Sequence, residues 1–164
     1  MKSWVKVLLV TVVLAVPAFL MGPVIWPPAE GSPQPTAAQL PFFLFAAAFE
    51  AITLGLGVSF LLFGMPVIRR ISSGFKLRAW AMYLSIGWLM VSWWPHTNLH
   101  INNGENMQGL LYIEYGFHFT LQIAGIILAY CFLSLVSERG EVPAAASATQ
   151  AGSEDALAES PARP

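Results

Sequence analysis

Three histidines, His96, His100 and His118, fall within 23 residues of a 164-residue chain. His96 and His100 are four apart, and so are Glu114 and His118. On a helix each pair would share a face, one turn apart. Two ligands one turn apart are a common helical grip on a transition metal, and imidazole with carboxylate suits zinc, iron, copper or nickel. Three histidines and Glu114 would fill a tetrahedral site. With water in one position the site is open for catalysis. Glu50 is a possible fifth member, followed by Thr53 three residues on and Gly57 four further. Ser92, Thr53 and Gln122 are the polar neighbours expected to accept or give the remaining hydrogen bonds of the ligands.

Other chemistry fits the same residues. They could form a hydrogen-bond network that holds helices in register. They could serve a larger membrane complex as a haem site, a quinone site or a proton path. A small transporter or channel subunit is a further reading. Haem suits the set less well than a bare metal ion, because Glu114 is not a usual haem ligand. No serine stands in an evident triad. The glycines of "GLGVSFLLFG" (residues 55–64) belong to a helix interior rather than a phosphate loop.

What must position these residues is a membrane fold. The chain is 56% hydrophobic and only 10% charged, against about 25% charged in soluble domains. Its net charge of −1 argues against nucleic acid as a partner. Four apolar segments stand out, at about residues 5–21, 40–64, 77–94 and 109–136. A span needs about 20 apolar residues, and the third segment barely reaches that. Backbone in lipid must bond to itself, so all four are predicted helices of an all-α bundle in the lipid bilayer. Lys2 and Lys6 before the first segment also fit a secretory signal peptide. "VPA" (residues 16–18) makes a poor cleavage site, so an uncleaved helix is preferred.

The basic residues Lys2, Lys6, Arg69, Arg70, Lys76 and Arg78 precede the first helix or lie between the second and third. The other two connections carry none. By the positive-inside rule both termini and the central loop are cytoplasmic. Trp26, Trp93, Trp94 and Tyr112 then mark the outer boundary, with Trp4 and Trp80 at the inner one. The outer connection over residues 22–39 holds five prolines and reads as extended chain without a fold of its own. Residues 137–164 are rich in Ala, Ser, Glu and Pro and read as a disordered tail. Cys131, the sole cysteine, reads as a small buried apolar side chain.

Depth connects the polar stripes. At about 1.5 Å per residue, Glu50 lies about 14 Å below Pro41, and Glu114 and His118 lie about 9 and 15 Å below Gln108. His96 and His100 reach that level only if the third helix starts deeper or breaks. Pro95 either kinks that helix or ends it at the surface.

Overall fold

The computed structural model describes residues 2–32, 34–72 and 75–138. Every regular element among them is helical, and no strand is present there. The chain divides into two units, Met1–Leu128 and Ala129–Pro164. The first contains the elements that carry the polar stripes. Of the second, residues 129–138 are described, and they are helical.

Helix α1 (Ser3–Ile25) and helix α2 (Leu40–Phe63) are both long and apolar enough to cross a membrane. Pro41 stands in the first turn of α2, where a missing N–H costs nothing. Short α3 (Met65–Ile71) follows Gly64 and ends in Arg69 and Arg70, where cations complement the helix dipole.

The third apolar segment differs from expectation. Helix α4 (Lys76–Val91) stops at Ser92, and α5 (Trp93–Asn103) begins at once. The break therefore lies before Pro95, which occupies the first turn of α5, where its ring and missing N–H are tolerated. The chain stays helical through His96 and His100. The helix does not end at Trp94.

Gly104, at φ 56°, turns the chain out of α5. The Asn106 side chain then accepts from the backbone N–H groups of Gln108 and Gly109 at 3.1 and 3.3 Å, capping the last helix. That helix, α6 (Met107–Glu138), is the third one long and apolar enough to span a membrane. It opens as an α-helix, takes a π-helical turn at Glu114–Phe119, and resumes as an α-helix. The expected tail thus loses Ser137 and Glu138 to the helix, and residues 139–164 lie outside the described residues. Cys131 is buried, as its apolar surroundings implied.

Small residues set the packing. Helix α1 lies on α2, α2 on α4 and α5, and α5 on α6. A Cβ added at Gly55 would come within 3.0 Å of Thr11 Cα, so α1 and α2 approach backbone to backbone there. Beside that contact Thr11 Oγ1 and Ser59 Oγ share a 3.1 Å hydrogen bond, and Ser59 Oγ donates to the Val7 carbonyl. Ala15, Ala18 and Ala51 form a buried cluster, with Phe19, Leu54 and Trp94 packed on it. Gly57 sits likewise against Met90 and Val91 of α4.

The proline-rich connection is not free chain. Ala29 donates its N–H to the Ile101 carbonyl at 3.1 Å, and Asn102 donates to the Pro27 carbonyl at 2.7 Å. Trp26 and Trp94 meet edge to face with ring centres 4.9 Å apart. Trp26 and Trp94, expected at the outer boundary, thus clamp this connection to α5.

Candidate metal centre

Helix α5 presents His96 and His100 one turn apart, and the π-turn of α6 brings His118 against them. His96 Nε2 lies 2.7 Å from His118 Nε2 and 3.1 Å from His100 Nε2. One nitrogen from each of the three rings lies within 4.8 Å of the other two. His96 is buried, and His100 and His118 are partly so. Trp93 and Phe117 pack on the His96 ring at 5.7 and 5.5 Å between centres, and Trp88 stacks on Phe117. The cluster therefore has an apolar wall on one side.

Glu114 enters from the far side of His118. Its Oε2 lies 2.6 Å from His118 Nδ1. A carboxylate only accepts, so Nδ1 carries the proton and Nε2 presents its lone pair to the cluster. This is the carboxylate–histidine arrangement that fixes the tautomer of a metal ligand. Glu114 is thereby placed behind a ligand rather than among the converging nitrogens.

The converging nitrogens are poorly served by each other. His118 Nε2 can only accept. A single proton on His96 Nε2 would have to serve both neighbours, and His96 Nδ1 would then be a bare acceptor. Among the described residues that Nδ1 is buried with no hydrogen-bond partner, and so is Ser92 Oγ one turn earlier. In tetrahedral zinc bound at about 2.0–2.1 Å, ligand nitrogens stand about 3.3 Å apart. The observed 2.7 and 3.1 Å need only small ring movements to match that spacing. A porphyrin has no room between nitrogens this close.

The π-turn has its own support. Thr120 Oγ1 donates to the Gly116 carbonyl at 2.7 Å and accepts the Trp88 indole N–H at 2.9 Å. It thus serves a carbonyl within the turn and ties α6 to α4. Such turns are frequent at functional sites. Each inserted residue rotates the remainder of the helix by roughly 100°. Gln122, expected on the same stripe as His118, is accordingly exposed and takes no part.

Glu50 is elsewhere. It faces α5, but there its Oε1 accepts the Thr97 hydroxyl at 3.0 Å. Thr53 bonds back to the Phe49 carbonyl and serves neither group. Of the five residues singled out, the structure joins four and sets Glu50 beside a different part of α5. Sequence reasoning missed Thr97, Thr120 and Trp88. Thr97 adjoins His96 in sequence, and that adjacency was the available signal.

A cleft of about 620 Å³ reaches the cluster at His100, lined also by Glu30, Gly104 and Glu105. Compared with known protein families, characterised proteins and solved structures, the chain matches none. Its site is read from its own geometry.

Proposed function

We propose that this is an integral membrane metalloprotein holding one transition-metal ion on the Nε2 atoms of His96, His100 and His118. The convergence of those three nitrogens carries the reading. Glu114 orients His118. Coordination through Nε2 makes His96 Nδ1 a donor, and Ser92 Oγ, buried one turn earlier with no partner among the described residues, is the acceptor proposed for it. Three neutral imidazoles suit zinc, copper or iron. Three histidines with a fourth position for water are also the ligand set of catalytic zinc. The fourth position is supplied from the cleft at His100, which makes a metal-handling or metal-dependent redox role the functional class.

The same reading takes the chain as a four-crossing protein. Helices α1, α2 and α6 cross singly, and α4 with α5 forms the third crossing, since 16 residues of α4 reach only about 24 Å of a core of about 30 Å. The basic residues put both termini and the α3–α4 segment on the cytoplasmic side. The histidine cluster then lies towards the outer face.

Elemental analysis of detergent-purified protein tests the proposal, with wild type beside His96→Ala and His118→Ala. About one metal ion per wild-type chain, lost in both variants, is expected. Metal-free wild type after growth and purification with zinc, copper and iron present would leave a hydrogen-bonded helix clamp instead.

A further inference from the structure

A second cavity, of about 500 Å³, lies between α1, α2 and α5 and does not include the histidines. Its walls are apolar and carry Phe19, Phe43 and Trp94. Leu20, Phe43 and Leu44 on its rim are exposed. These belong to helices long enough to span a membrane, so the cavity opens to the lipid. Three polar side chains interrupt the apolar lining: Glu50, Thr97 and Asn98.

Those three present acceptors. Glu50 Oε1 takes the Thr97 hydroxyl, and Oε2 has no donor among the described residues. Asn98 donates its Nδ2 to the Trp94 carbonyl at 2.7 Å, which fixes its amide so that Oδ1 is the free acceptor. A Cβ added at Gly22 would lie 2.9 Å from that Oδ1, so glycine leaves room for it at the cavity wall. An ionisable side chain within a span is costly and marks a functional position by default. Pockets of roughly 300–1,000 Å³, mostly apolar with a few placed polar groups, are the size and character of small-molecule sites.

We infer that this cavity binds a lipid-soluble aromatic alcohol of the hydroquinone class. Its ring packs among Phe19, Phe43 and Trp94, and its hydroxyl donates its one proton to Glu50 Oε2, with Asn98 Oδ1 the alternative acceptor on the same wall. The ligand enters laterally from the bilayer. The inference stands on residues separate from the histidine cluster. Phe43 and Ile101 line both this cavity and the cleft at His100, so a ligand here lies one side-chain layer from that cleft.

The test is tryptophan-quenching titration of detergent-purified protein with a decyl-substituted hydroquinone, beside the matching quinone under oxidising conditions. The reduced form has hydroxyl donors and the oxidised form only acceptors, so the protein should bind the reduced form at least tenfold more tightly. Glu50→Gln, which places a donor at the carboxylate's position, should abolish that preference. Ala47→Phe should block both forms by filling the cavity while leaving Glu50 intact. Equal affinity for both redox forms in the wild type would overturn the inference. So would binding unaffected by Ala47→Phe, or equal affinity for dodecylammonium, which offers charge without a ring.

Discussion

Glu114 and His118 stand four residues apart and meet at 2.6 Å across a π-helical turn, carboxylate oxygen to Nδ1. The bond fixes which ring nitrogen faces His96. It therefore links a sequence spacing to a protonation state. Glu114→Gln keeps the size but can present its amide N–H₂ to Nδ1, favouring the wrong tautomer. Metal affinity, measured by competition with a chromophoric chelator, should fall by about 10- to 100-fold, the usual loss for such a partner. His118→Ala should fall below detection. Equal affinities for wild type and Glu114→Gln would show that the carboxylate does not orient the ligand.

Deleting Gly116 probes the π-turn itself. Removing one residue returns α6 to an uninterrupted α-helix and brings Glu114 and His118 from four residues apart to three, which changes how the carboxylate meets the ring. Helix content by circular dichroism should stay unchanged while metal binding is lost. Retained binding would mean that the wide turn does not position His118.

Metal should also stabilise the fold. A ligand at about 100 times its Kd contributes about 2.7 kcal/mol if it binds only the folded state. Thermal unfolding in detergent should shift upward on adding the metal to wild type and stay put in His96→Ala. Ser92→Ala should keep the shift but require more metal to reach it, because metal on Nε2 makes His96 Nδ1 a donor and the variant lacks the hydroxyl proposed to accept from it.

The backbone makes its own forecasts. Gly104→Ala forces a side chain into a positive-φ conformation and within 2.8 Å of Ala29 Cβ. The strain should cost about 1–3 kcal/mol, read as a lower midpoint in denaturant titration. Ser59→Ala removes the bonds to Thr11 and Val7, and should cost about 1.2 kcal/mol by the same measurement, at an average of about 0.6 for each such bond between membrane helices.

Much of this was legible in the sequence. Apolar runs located α1, α2 and α6, because lipid admits little else than helix. Spacings of four put His96 with His100 and Glu114 with His118. Tertiary detail was not legible. Pro95 was the conspicuous breaker, and the break falls at Ser92 rather than at the proline itself, because the ring and the missing N–H act on the Val91 carbonyl four residues back. The π-turn has no marker in residue type, and without it Gln122 looked equivalent to His118. Glu50 shared an approximate depth with His118, but depth does not fix azimuth, and Glu50 met Thr97 instead. The prolines of residues 22–39 concealed two hydrogen bonds to α5, because those partners lie more than 70 residues away.

His96 and Thr97 are consecutive residues of α5, the first turned to α6 and the second to Glu50 on α2. One short stretch of backbone therefore carries both contacts. Any axial rotation of α5 that closes one changes the other. If filling one site alters α5, the free energy of that coupling is felt equally at the other site, since linkage between two bindings is reciprocal. The 11 residues of α5 would then act as a thermodynamic shaft between the cavity beside Glu50 and the histidine cluster.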